Sequence, residues 1–195
     1  VNNAGILRDK SLAKMEDSEW KAVIAVHLDG TFFCGRAAAR YMKDNNIPGR
    51  IINTSSYAGL IGNFGQSNYG AAKSGIAGLT RVWALEMAKY GVTVNAIAPM
   101  AKTRMTEDIE QVPADFAPEM VSPMAVYLAS DLAKEVNGKI LGVHGRHLFE
   151  YKQVMTPGVK KESDWSAVEI AGKFAAICGE AAAAPAPAPA AKTGD

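Results

Sequence analysis

Three side chains of this 195-residue chain combine types and spacing that can move a proton: Ser56, Tyr69 and Lys73. Tyr69 and Lys73 stand four residues apart in a stretch whose apolar pattern predicts a helix, so they share a face and can approach each other. A phenol, with a pKa of about 10, is a weak base at neutral pH, but a neighbouring ammonium favours its ionised form. A Tyr general base is therefore chemically available here. Ser56 falls at the predicted end of a strand, where its hydroxyl could hold a substrate oxygen whose charge changes during reaction. By itself a Tyr-x-x-x-Lys pair is a weak signal, since most such pairs are surface neighbours.

The elements that must position these residues are legible from periodicity. From Asp17 to about Lys43 the residues Trp20, Val23, Ile24, His27, Leu28, Phe32, Cys34 and Ala38 recur at three- and four-residue steps, which predicts one long amphipathic helix with Gly30 as a soft spot. The β-branched run from Gly49 to Ser55 predicts a buried strand, and Gly59, Gly62 and Gly65 predict a loop after it. A second long helix is expected from Ser67 to Tyr90, stopped by Gly91, then a strand from Val92 to Ala98 closed by Pro99. A third helix from about Pro118 to Ser130 and a third strand from Lys139 to Val143 complete the series. Alternating helices and strands of this kind predict an α/β, Rossmann-like, doubly wound parallel sheet. Such sheets bind ligands beyond the carboxyl ends of their strands, where Ser55, Ser56 and Pro99 would lie.

Composition narrows the partners. With 48% apolar and 21% charged residues and a formal charge of +1, the chain reads as a globular domain without the field that nucleic acid or an anionic membrane would need. No apolar run is long enough for a membrane span and no signal peptide opens the chain, so a cytoplasmic location is expected. Cys34 and Cys178 form no ligand or redox spacing and are read as thiols in a reducing compartment. His144 and His147 lack acidic or Cys partners, so no metal site is expected. The sequon Asn53-Thr54-Ser55 lies on a predicted buried strand and is discounted. Residues 1–145 are assigned to the sheet domain, 146–178 to a C-terminal extension packed on it, and 179–195, almost all Ala and Pro, to a flexible tail or linker.

Four ordered segments carry a family resemblance: Asn2-Asn3-Ala4-Gly5, Ile52-Asn53-Thr54-Ser55-Ser56, Asn68-Tyr69-Gly70-Ala71-Ala72-Lys73 and Val94-Asn95-Ala96-Ile97-Ala98-Pro99. Over roughly residues 1–145 the chain resembles the short-chain dehydrogenases/reductases. The resemblance implies that Ser56, thirteen residues before Tyr69, is the catalytic serine rather than Ser55. It implies that Tyr69 is the general acid or base, and that Lys73 binds the nicotinamide ribose, lowers the Tyr69 pKa and joins a proton relay. It places Asn2, Ala4 and Gly5 beside the adenosine half of an NAD or NADP cofactor, NAD being favoured. Pro99 is counted among the cofactor-binding residues and Thr103 is the expected carboxamide contact. His27 stands where the family usually has a catalytic Asn, whose main-chain carbonyl holds a relay water. The alternative reading of His27 is a packing residue of the helix.

His27-Leu28-x-Gly30, Gly62-Asn63-Phe64-Gly65-Gln66 and Arg104-Met105-Thr106 look like the dehydrogenase domain of peroxisomal multifunctional enzymes of type 2 and their bacterial relatives. That similarity implies oxidation of a 3-hydroxyacyl-CoA. A 3-oxoacyl-carrier-protein reductase is the alternative, and a non-catalytic partner subunit of a related dehydrogenase is the alternative of another class. The resemblance implies a homodimer or homotetramer formed through the two long helices. It also implies a Gly-rich phosphate turn upstream of Asn2, within about 85 to 105 further residues. No such turn occurs in these 195 residues, so the piece alone is expected to bind dinucleotide poorly, to be inactive, and to expose a sheet edge.

Overall fold

The structure is a computed structural model and describes residues 1–107, 109–110 and 112–179. Of the predicted tail only Gly179 lies within the described residues. Asp17–Ile24 forms α1 and Gly30–Asp44 forms α2. Glu16 and Glu19 start α1 with a reciprocal capping box, the Glu19 carboxylate accepting from the Glu16 N–H at 3.0 Å. Where an unbroken helix is expected, one π-helical turn, Ala25–Asp29, lies between α1 and α2. Its closing bond runs from the Gly30 N–H back to the Ala25 carbonyl, and the widened turn seats His27 in the interior at 1% exposure.

Strand β1 is Gly49–Thr54, the short helix α3 Tyr57–Leu60, α4 Ser67–Met87 and β2 Val92–Met100. Helix α5 spans Ser122–Ala129, preceded by a 3-10 turn Pro118–Met120, so the predicted third helix is two pieces. Strand β3 is Ile140–His144 and β4 His147–Glu150. The sheet order is β1-β2-β3-β4, with the first three strands parallel. Strand β2 does not close at Pro99 but runs on to Met100, opposite His144. The missing N–H of Pro99 is harmless because that residue faces the β1 side of the sheet, where β1 has already ended at Thr54 opposite Ile97.

Successive β1 residues point to opposite faces, and both faces are covered. Ile51 packs with Ala84 and Met87 of α4, while Ile52 packs with Ile97 and Leu128 of α5. Burial on both faces accounts for the near-continuous apolar reading of the strands. Asn53, fully buried, uses its side chain to tie the layers: its Nδ2 donates to Thr80 Oγ1 at 3.0 Å and its Oδ1 accepts from Asn2 Nδ2 at 2.8 Å. Asn2 also pairs with Asn53 in parallel fashion, its N–H donating to the Ile52 carbonyl, so the opening residues run alongside β1.

Strand β4 is an addition the periodicity does not announce. A two-residue turn, Gly145-Arg146, with Gly145 at φ 57°, folds it antiparallel onto β3, so the sheet is mixed. The first compact unit therefore extends beyond 145, to Tyr151, whose N–H donates to the Ile140 carbonyl. Residues 152–179 belong to a second unit, containing α6, Ala167–Cys178, which Ser166 and Glu169 open with a capping box. Both cysteines are free and exposed. Among the described residues no helix is long and apolar enough to cross a membrane, and no cluster of His, Cys, Asp and Glu could hold a metal.

Candidate active site

The carboxyl end of β1 delivers Ser55 and Ser56 to opposite tasks. Ser55, buried, donates its hydroxyl to the Lys73 carbonyl at 2.9 Å and so fastens the strand end to α4. Ser56, half-buried, caps α3 by accepting from the Ala58 N–H at 3.3 Å, and its hydroxyl is near enough to the Tyr69 phenol to favour the ionised form. The cap makes a helix of what the glycines alone suggest is a loop. Gly59 is required by close approach: a Cβ there would lie 2.5 Å from the Ser74 nitrogen and 2.6 Å from the Lys73 carbonyl carbon.

Helix α4 then presents Tyr69 and Lys73 on one face. Lys73 is 3% exposed, and its Nζ donates to the Thr54 carbonyl at 2.7 Å and lies 5.5 Å from the centre of the Tyr69 ring. Burial pulls the Lys73 ammonium down from 10.5 to about 8. Tyr69 moves the other way from the expectation. Its burial raises the phenol pKa and outweighs the lowering effect of the Ser56 hydroxyl. The resting pair is thus a phenol beside an ammonium that is easily deprotonated. The reason is that both groups are desolvated and the Lys73 ammonium is turned toward the Thr54 carbonyl.

His27 is brought into the same cluster. Its ring meets the Tyr69 ring edge-on at 5.1 Å and 84°, and its Nε2 lies 2.9 Å from the Ile6 nitrogen and 2.8 Å from the Ile6 oxygen. A Cβ at Gly5 would fall 2.6 Å from His27 Cε1, so the opening loop and the imidazole are in close register. Nδ1 of His27 is buried without a hydrogen-bond partner. Burial lowers the His27 pKa, and Lys73 lowers it further, which keeps the ring neutral at physiological pH.

Of the other expected site residues, Asn2 is engaged with Asn53, Ala4 and Gly5 are exposed just beyond it, and Pro99 lies on β2 opposite Val143. Thr103 spends its hydrogen bonds inside its own loop, on Thr106 and the Met105 N–H. Two residues just upstream of Tyr69 make ties that pattern reading misses. Asn68, fully buried, donates to the Arg8 carbonyl at 2.8 Å, and Gln66 donates to Asp9 at 2.7 Å. Their ties span 57 to 60 positions of sequence, so no local periodicity reports them.

The family pattern described as short chain dehydrogenase matches residues 1–114. The chain is 49% identical over 139 residues to the peroxisomal hydratase-dehydrogenase-epimerase of Saccharomyces cerevisiae, covering 70% of this chain and 15% of that protein. It is 46% identical over 160 residues to hydroxyacyl-CoA dehydrogenase ChsB1 of Mycobacterium tuberculosis, covering 74% of this chain and 50% of the relative. It thus spans half or less of the length of these two relatives. The crystal structure of a short chain dehydrogenase from Mycobacterium avium superposes with a TM-score of 0.85 at 46% identity, over 97% of this chain and 67% of that one. With the pattern matched over more than half its residues and the same fold at this identity, the chain belongs to the short-chain dehydrogenase family.

Proposed function

We propose that the chain is the catalytic part of an oxidoreductase that moves a hydride between a nicotinamide dinucleotide and a secondary alcohol or ketone, with a 3-hydroxyacyl-CoA as substrate and NAD as the favoured cofactor. The observation that carries the reading is the convergence of Ser56, Tyr69 and Lys73, from two elements, on one crevice end of the sheet. The substrate class is supported by the names of the yeast and mycobacterial relatives. Roles follow from the chemistry of each group. Ser56 holds the substrate oxygen, and Tyr69, a phenol at rest, gives a proton to that oxygen in reduction and removes one in oxidation. Lys73 balances the phenolate and hands protons outward to solvent, while its bond to the Thr54 carbonyl holds the ammonium in place.

The residues present suit the cofactor. Lys73 spends one ammonium proton on Thr54 and keeps the others for ribose hydroxyls, while the exposed Ala4 and Gly5 leave room beside Asn2 for the adenosine half. Bound there, the nicotinamide supplies the hydride acceptor or donor. Pro99 and Thr103 are proposed on its carboxamide side. His27 is proposed to hold the opening loop and Tyr69 in register. A homodimer or homotetramer through the long helices is part of the same proposal. Phe33 of α2 and Val82 and Leu85 of α4 are exposed there, flanking a groove of about 150 Å³ lined by Phe32, Arg36 and Trp83.

Tyr69→Phe is the test, made in the full-length protein with a 3-hydroxyacyl-CoA and NAD. Turnover is expected to fall by about 10³-fold, within the usual range for a general acid–base group, with the circular dichroism spectrum unchanged. Turnover within tenfold of the parent would overturn the assignment.

A further inference from the structure

Residues Ile6 to Lys10 form a strap over the site, fastened at four places. The Ile6 main chain sits on His27 Nε2, the Arg8 carbonyl accepts from Asn68, Asp9 accepts from Gln66 Nε2, and the Lys10 N–H donates to the Gly65 carbonyl at 2.9 Å. Gly65, Gln66 and Asn68 all lie within four residues upstream of Tyr69, so the strap and the first turn of α4 are held as one piece. Three of the fastenings use only the strap's main chain. Asp9 alone contributes a side chain, and it is a carboxylate, although Gln66 asks only for an acceptor that a neutral amide could provide.

The charge matters because of what surrounds Tyr69. Around the Tyr69 ring stand the Ser56 hydroxyl from β1's end, Lys73 on its own helix and His27 from the π turn, while Asp9, exposed on the strap, is held to Gln66, three residues before Tyr69. His27 is neutral, which leaves Lys73 and Asp9 as charges of opposite sign. On the reading that Tyr69 is the acid and base of this site, we propose that Asp9 is a positioning residue for it: clasped by Gln66 at the N-cap of α4, it fixes the strap to the first turn of that helix and brings a negative charge to the turn that carries Tyr69, opposing the charge of Lys73. The direction of its influence agrees, since the Asp9 carboxylate adds to burial in raising the Tyr69 pKa. Asp9's own carboxyl is raised by partial burial and lowered by the Gln66 hydrogen bond. The strap thereby biases the resting site toward the proton-donating form, and Lys73 biases it the other way.

The experiment compares Asp9→Asn, which keeps an acceptor for Gln66 and removes the charge, with Asp9→Glu, which keeps the charge. The readouts are the acid limb of kcat/KM against pH for oxidation of 3-hydroxybutyryl-CoA by NAD, and the ultraviolet titration of tyrosinate, both in the full-length protein. Asp9→Asn is expected to move the limb and the Tyr69 titration step down by about half a pH unit, about threefold in rate well below the midpoint, while Asp9→Glu leaves both near the parent values. A limb and a titration step that stay in place in Asp9→Asn, or that move equally in Asp9→Glu, overturn the proposal. Tyr69→Phe separates this from the reading beneath it. If that variant keeps turnover, the acid–base assignment has failed; if it loses both turnover and the titration step while Asp9→Asn shifts nothing, only the role of Asp9 has.

Discussion

Lys73→Met is expected to make the fold more stable at neutral pH while removing its chemistry. The lysine is 3% exposed and its pKa falls from 10.5 to about 8 on folding because burial disfavours the charge. Below about pH 8 both the folded and the unfolded chain carry the proton, and the fold bears the full penalty. Between about 8 and 10.5 the folded lysine releases the proton while the unfolded one keeps it, so stability rises with pH; above 10.5 the penalty is gone. At 1.36 kcal/mol per pH unit the difference is on the order of 3 kcal/mol.

Methionine carries no such penalty but forfeits the bond to the Thr54 carbonyl, leaving a buried acceptor unpaired at a cost of about 1–3 kcal/mol. The variant should therefore match or exceed the parent by up to about 2 kcal/mol at pH 7 and fall below it above pH 10.5, so that the two stability curves cross. Urea unfolding of both proteins from pH 7 to about 10.5 reads the gap directly, since every other titrating group is common to both. A gap that stays constant across this range would refute the argument, because it would mean that the charge on Lys73 is not strained by the fold. If the gap behaves as expected while turnover is lost, the site has been shown to carry its lysine at the expense of stability.

Two further substitutions test the framework around the site. Gly59→Ala would place a Cβ against the α4 backbone at Lys73 and Ser74, atoms that cannot rotate away. A loss of about 1–3 kcal/mol is expected by urea unfolding, with Ser56 pulled out of line with Tyr69; a variant as stable as the parent would contradict the close approach. Asn53→Leu would leave Asn2 Nδ2 without its acceptor and remove the donor to Thr80 Oγ1, whose hydroxyl keeps its bond to the Ile76 carbonyl, and a loss of about 1–3 kcal/mol is expected from thermal melting, against an unchanged melting temperature if those bonds are idle.

The parts of the molecule that a reader of the sequence can find are those written in short-range pattern. Tyr69 and Lys73 share a helix face by spacing alone, and the β-branched runs around Ile51 and Val94 locate two strands because both of their faces are buried. What the pattern hides has physical causes. The π turn is invisible because apolar residues continue at three- and four-residue steps on either side of it, so nothing marks the extra residue. Helix α3 is hidden by Gly59, whose reason is close approach to α4, while Gly62 and Gly65 do lie in the loop that follows. The short strand His147–Glu150 carries no alternation that a tight turn alone would reveal. The strap's ties to Gln66 and Asn68 are long-range. The direction in which the Tyr69 pKa moves is also beyond pairwise spacing, because it is decided by how much water both partners lose.

The π turn at Ala25–Asp29 has a consequence for how this helix can change over time. The bond from the Gly30 N–H to the Ala25 carbonyl spans five residues where an α-helix spans four, so the extra residue is absorbed inside the turn and α2 keeps the facing that buries Thr31 and Gly35. Removing one residue would heal the turn into α-helix without re-aiming α2, so α1 would still meet α4 and α2 would still meet β1. What such a deletion would disturb is the seat of His27, which the widened turn holds in the interior. The turn is thus the place where this helix can change length by one residue while both of its ends keep their partners.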